Sequence, residues 1–199
     1  MILHLVGAIG CAIPQTRELT IGLTPVNLLI NAGLLAYCHN GTKKQLILFF
    51  VLSSIAGFTV EVIGVTTGFP FGDYTYGSTL GVQLLNVPVL IGVNWFILSY
   101  CFGMLTARLG LPIVAKSILA ALGMVLIDLL IEPIAVRFDY WTWHQGDIPL
   151  SNYAGWLVVS FGIQLVFHQL FKENLNKQSG VTVGSQTFYF SFLQIFFKI

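Results

Sequence analysis

Residues 111–131 read LPIVAKSILAALGMVLIDLLI, from Leu111 to Ile131. Apart from Lys116 near its start and Asp128 near its end, the run is uncharged. It matches the roughly 20 apolar residues that a helix needs to cross a bilayer. The rest of the chain has the same character. Of its 199 residues 56% are apolar and only 9% are charged, against about 25% charged in soluble domains, so most of the surface cannot be facing water. The net charge of +1 leaves no electrostatic footprint for a nucleic acid.

Working outward from that run, other apolar segments span or nearly span. Met1 to Ile13 is short, enough for a partial or tilted crossing. Ile21 to Cys38, Gln45 to Val65, Val82 to Leu105 and Tyr153 to Phe171 follow, and Val181 to Ile199 is dense in aromatics, suited to crossing or to lying in the interface. The predicted fold is all-α: a polytopic membrane protein of about seven transmembrane helices, one integral-membrane domain over residues 1–199. Met1 runs straight into Ile2-Leu3-His4-Leu5, with neither a basic region nor a small-residue cleavage site, so no removable signal peptide is expected. Cys11, Cys38 and Cys101 lack metal-ligand spacing and read as small hydrophobes.

Orientation follows from the basic residues. With loops numbered from the N-terminus, loops two, four and six and their flanks hold Lys43, Lys44, Arg108, Lys116, Lys172 and Lys177. Loops one, three and five hold only Arg17 and Arg137. The even loops and the N-terminus are therefore expected in the cytoplasm, with the chain integral to the cell (inner) membrane. Acids distribute the other way. Glu18, Glu61, Asp73, Glu132, Asp139 and Asp147 fall in or beside the odd loops, and Glu173 lies on the basic side.

Two stretches echo each other. Glu61 is followed by Phe71-Gly72-Asp73-Tyr74-Thr75-Tyr76, then Gly81, Asn86, Pro88 and Trp95. Glu132 is followed by Phe138-Asp139-Tyr140-Trp141-Thr142-Trp143, then Gly146, Pro149, Asn152 and Trp156. Each is a helix ending near a glutamate, an aromatic loop with an aspartate, and a Gly/Pro-marked opening to a helix that carries a Trp. An internal repeat is expected, with both units in the same orientation and a site at their interface.

Ionisable residues inside a bilayer are costly, about 2.5–3.5 kcal/mol at its centre, and mark function more often than chance. Glu61, Asp128 and Glu132 lie in or at the ends of apolar segments. Asp128 and Glu132 are spaced to share one helix face, where two like charges repel, so at least one is expected to hold a proton. A neutral carboxylic acid in an apolar cavity is a proton donor. The bland alternative is that these acids only hydrogen-bond neighbouring helices. Nearby aromatics, Tyr74, Tyr76, Trp95, Tyr140, Trp141, Trp143, Tyr153 and Trp156, suit either an interfacial belt or a cavity whose ring faces stabilise a cation. Asn27 and Asn31 are explained by helix-packing hydrogen bonds. His4, His39, His144 and His168 form no clustered ligand pattern, against a histidine-rich iron site, and Lys116 sits where snorkelling explains it. No phosphate loop, haem motif or nucleophile elbow is present.

The run Glu61, Gly68, Phe71-Gly72, Tyr74, Tyr76, Leu80-Gly81, Pro88 and Trp95 resembles the membrane carotenoid biosynthesis family that contains the CruF-type carotenoid hydratases. So does the run Asp128, Glu132-Pro133, Trp141, Trp143, Pro149, Asn152-Tyr153 and Gly155-Trp156. The resemblance extends from about His4 to the end of the sixth segment. It implies addition of water across the terminal double bond of a linear (ψ) carotenoid end group, giving a tertiary alcohol. Lycopene, γ-carotene and bacterioruberin precursors are the substrates it implies.

Such chemistry needs an acid, a base, aromatic faces and controlled water, with no metal and no redox cofactor. The catalytic candidates are Asp128 and Glu132 as proton donor, with Glu61 or Asp73 positioning water. The substrate-binding candidates are Tyr74, Tyr76, Trp95, Trp141, Trp143, Asn152 and Trp156. Expected partners are a carotenoid entering laterally from the lipid, the membrane itself and other carotenoid-pathway enzymes. The rival readings are a carotenoid cyclase of the lycopene type, a small transporter using the acids as a relay, and a pigment-binding protein without turnover.

Overall fold

The computed structural model describes residues 1–171 and 176–199. Lys172 and Glu173, used above in reading the loops, lie outside the described residues. Four helices are long and apolar enough to cross a membrane: α4 (Lys43–Thr67), α5 (Leu90–Ala107), α6 (Ile113–Arg137) and α7 (Leu150–Leu170). A fifth crossing is counted if α2 (Pro14–Gly22) and α3 (Thr24–Tyr37), bent by 53° at Leu23, are taken as one broken span. Each of that pair opens on a proline in its first turn, where a missing N–H costs nothing. The first apolar segment becomes the short helix α1 (Ile2–Ala12). The last becomes α8 (Lys177–Phe197), whose buried Ser179, Thr182, Ser185 and Gln186 make it too polar to meet the same measure of a span. Against the seven crossings expected, the described residues thus hold four or five helices apolar enough by length and composition.

Helix α5 is the centre of the bundle. It packs against α3, α4, α6, α7 and α8, and its residues from Trp95 to Cys101 are all buried. The helices around it turn apolar side chains outward: Ile55 on α4 is 60% exposed, Leu126 on α6 63% and Val158 on α7 71%. Outward-facing leucine, isoleucine and valine of this density suit lipid, since a soluble surface would leave them against water.

One close approach sets the α4–α5 spacing. A Cβ added at Gly57 on α4 would overlap the side chain of Trp95, which is wholly buried. Gly57→Ala should therefore destabilise the protein. Overpacking costs about 1–3 kcal/mol, more than the ~1 kcal/mol that alanine offers a helix. A thermal midpoint in detergent below that of the wild type is expected, and an unchanged midpoint would mean that the indole is free to shift.

The aromatic motifs read above as loops are short strands. β1 (Tyr74–Tyr76) pairs antiparallel with β4 (Trp141–Trp143), placing Tyr74 opposite Trp143, Thr75 opposite Thr142 and Tyr76 opposite Trp141. Alternate aromatic residues suit a strand because successive side chains leave on opposite faces. Here the tyrosines and tryptophans turn inward and Thr75 and Thr142 are exposed. A second ribbon joins β2 (Gln83–Leu84) to β3 (Val87–Pro88). The β1–β4 ribbon caps the C-terminal ends of α4 and α6, because α4 leads into β1 and α6 into β4. Helix α4 stops at Gly68, whose left-handed φ of 73° is ordinary for glycine after a helix.

Candidate active site

Three acids converge beneath the ribbon. Glu61, on the last turns of α4, is 4% exposed; Asp128 and Glu132, one turn apart on α6, are 1% and 2% exposed. Every one of them is held by hydrogen bonds from named partners, so these are built positions and not stray charges.

Glu61 sits in a clamp of three donors. The hydroxyls of Tyr74 and Tyr76 donate to Oε2 at 2.5 and 2.8 Å, and Trp95 Nε1 donates to Oε1 at 3.0 Å. Glu132 sits in another. Trp141 Nε1 and Trp143 Nε1 both donate to Oε2 at 3.0 Å, and Asn152 Nδ2 donates to Oε1 at 3.0 Å. The same Asn152 amide gives its other proton to Asp128 Oδ2 at 3.0 Å, which links the two carboxyl groups. Asn152 is itself 2% exposed and stands on the first turn of α7. Of the Asp128 oxygens, only Oδ2 accepts a hydrogen bond from the described residues.

Indoles and phenols close the chamber. Trp95 and Trp156 stack at 4.3 Å with their planes 17° apart. Tyr74 lies 4.9 Å from Trp143, and Tyr76 meets Trp141 edge-on at 5.9 Å. Together with Phe71, Ile91 and Asn94 these rings and acids bound a cavity of about 30 Å³. That is room for one or two waters.

All seven substrate-binding candidates line this cavity, as do Asp128, Glu132 and Glu61. Asp73 does not. It lies on the outer side of the ribbon, 61% exposed at its side chain, with His144 Nδ1 3.4 Å from its carboxylate. The cause is the strand period: Asp73 adjoins inward-facing Tyr74 and so leaves on the opposite side. Tyr140 and Tyr153 are not among the lining residues either; the Tyr140 hydroxyl shares a hydrogen bond with Thr24 at 2.7 Å. Asn27 and Asn31 hydrogen-bond each other, Asn31 Nδ2 reaching Asn27 Oδ1 at 2.7 Å.

Three lining residues lay outside the candidates drawn from sequence: Phe71, Ile91 and Asn94. Ile91 and Asn94 stand one helical turn apart beside Trp95 on α5. The signal for Asn94 was there, a carboxamide within an otherwise apolar segment and next to the Trp of the motif.

A family model described as carotenoid biosynthesis protein matches residues 22–199. The chain belongs to that family. Among curated relatives, the bisanhydrobacterioruberin hydratase of Haloarcula japonica is 33% identical over 128 residues, covering 60% of this chain and 44% of that protein. The chain therefore matches less than half the length of that relative. No solved structure matches it. Within the carotenoid biosynthesis family, then, this member carries a buried acid pair, a third buried acid, and an aromatic chamber, all assembled where the two echoing motifs meet.

Proposed function

We propose that the chain is a carotenoid hydratase, adding water to the terminal double bond of a linear (ψ) end group to give a tertiary alcohol. The observation that carries this reading is the Asp128–Asn152–Glu132 link facing a chamber of indoles, in a chain related to a hydratase. Lycopene, γ-carotene and bacterioruberin precursors offer such ends.

The donors support one division of roles. Three N–H or O–H groups aimed at one carboxyl suit an anion, and both Glu61 and Glu132 have three. Asp128 has one donor and an oxygen left over, which suits the group that carries the proton. Asp128 gives that proton to the less substituted alkene carbon, leaving a tertiary cation beside the Trp95–Trp156 stack and near the two fixed carboxylates. Water adds to the cation, and its surplus proton returns to the acid pair. Atoms balance with water as the only co-reactant. The proton transfer is general acid catalysis and the fixed negative charges are electrostatic preorganisation.

A polyene too long for this chain reaches the chamber from the side. Between α4 and α7 lies an apolar groove of about 440 Å³, lined by Val60, Ile63, Phe69, Pro70, Val158 and their neighbours. Phe71 separates groove from chamber, with its ring pressed between Gly64 on α4 and Gly155 on α7. The end group passes this ring, while the rest of the polyene stays along the groove and in lipid.

The echo in the sequence gives the chamber a two-fold character in this reading. β1 and β4 pair about Thr75 and Thr142, each glutamate faces the aromatic residues of its own strand, and the two tryptophans stack. The halves differ where chemistry is needed: the residue four before the glutamate is Asp128 in one and Gly57 in the other. In the same reading α1, the α2–α3 pair and α8 complete seven membrane segments, with the N-terminus in the cytoplasm and the chain in the cell membrane, beside other enzymes of the pathway.

Expression in cells that accumulate lycopene or γ-carotene tests the assignment by product mass. A product heavier by one water is expected. An isomer of equal mass would point to cyclisation, and bound but unchanged carotenoid to a binding protein.

A further inference from the structure

A second cavity lies against the first. It measures about 80 Å³, against about 30 Å³ for the acid chamber, and Ile91, Asn94 and Trp141 line both. Its other walls come from α1, α3, α8 and the turn before β4, and carry His4, Thr24, Asn27, Tyr140 and Gln186. Thr24 and Tyr140 satisfy each other and Asn27 Oδ1 accepts from Asn31, but inside an apolar bundle any polar group left unpaired costs free energy. Gln186 is 5% exposed and its Oε1 is buried with no hydrogen-bond partner among the described residues. Asn94 is half-buried, and its carboxamide takes part in none of the side-chain hydrogen bonds among the described residues. A buried acceptor without a protein partner and an unbonded carboxamide, around a space large enough for several waters, suit ordered water.

We propose that this cavity is a water reservoir for the acid chamber, and that Asn94 is the positioning residue that hands the attacking water across the shared wall. The inference rests on the hydratase reading and deepens it. The Asn94 carboxamide offers both an acceptor and two donors. Its oxygen accepts a hydrogen bond from the attacking water, leaving the water's lone pair toward the cation, while its NH2 donates a hydrogen bond to a second water on the reservoir side. A tertiary cation that meets no water has another outlet: it loses a proton and returns to an alkene. Asn94 thus governs the branch after protonation and has no part in the protonation itself.

Turnover in heavy water separates the two steps. Protonation from a deuterated acid places deuterium on the less substituted alkene carbon. Capture then yields the labelled alcohol, and proton loss yields a labelled alkene of the original skeleton or its double-bond isomer. For Asn94→Leu, alcohol formation is expected to fall about tenfold, the size of one well-placed hydrogen bond, while deuterium still enters recovered alkene at least as fast as in the wild type. Asn94→Ser keeps a hydroxyl that can hold the water and tests the same point with less disturbance of packing; it should recover part of the alcohol. Parallel loss of alcohol and exchange in both variants would overturn the proposal, because the residue would then serve protonation or folding. Undiminished alcohol in Asn94→Leu would overturn it as well. A wild type that forms no alcohol and exchanges no deuterium would instead remove the hydratase reading, and the water role with it.

Discussion

Asp128→Asn is expected to lower alcohol formation by about two to four orders of magnitude, the range for loss of a general acid, with the protein still inserted and still binding carotenoid. The substitution is close to isosteric, and the carboxamide oxygen can keep the hydrogen bond from Asn152 Nδ2. What is lost is a group able to release a proton to an alkene. Deuterium exchange into the substrate should fall by the same factor, in contrast to Asn94→Leu. Glu132→Gln should lose as much rate and more stability. All three donors to Glu132 are N–H groups, so a glutamine NH2 must face one of them, and a buried unmatched donor costs about 1–3 kcal/mol. Chain abundance, thermal midpoint and product yield measured together check the pair. Full turnover in Asp128→Asn would end its assignment as the acid.

Glu61→Gln should separate charge from scaffold. Two of the Glu61 donors are hydroxyls, of Tyr74 and Tyr76, and a hydroxyl can turn round to accept. A glutamine at this position therefore keeps its bonds: the oxygen takes the Trp95 N–H and the NH2 donates to both tyrosines. Only the negative charge disappears. The thermal midpoint should stay near that of the wild type, while alcohol formation falls by about two orders of magnitude, as when one preorganised stabilising group is removed. Glu61→Leu, by contrast, strands three donors and should fail to accumulate. An unchanged rate in Glu61→Gln would reduce Glu61 to a fastener for the ribbon.

The helical character and the buried acids were legible because both are local. A long apolar run says that a segment is embedded, and a carboxylate inside it has few roles that repay the cost of its burial. The seven aromatic and amide candidates followed from the resemblance and from their nearness to the acids. The pairing of Tyr74–Tyr76 with Trp141–Trp143 was not legible. The strands stand far apart in sequence, and each is too short for its alternation to outweigh the reading as a loop. That one pairing also decides Asp73, which neighbours the chamber in sequence and leaves on the outer face in space. Asn94 stands in an apolar segment outside both motifs, and only the two cavities meeting at its side chain mark it out. The count of crossings differs for another reason: α1 is only 11 residues long, and α8 carries polar residues buried against the bundle.

The most direct measurement is turnover by the purified protein in heavy-oxygen water, with an acyclic carotenoid supplied in lipid vesicles and no oxidant or reductant added. A tertiary alcohol whose hydroxyl carries the heavy oxygen, abolished in Asp128→Asn, is the result expected. A hydroxyl drawn from dissolved oxygen, an isomeric product without oxygen, or equal yield from Asp128→Asn would contradict it.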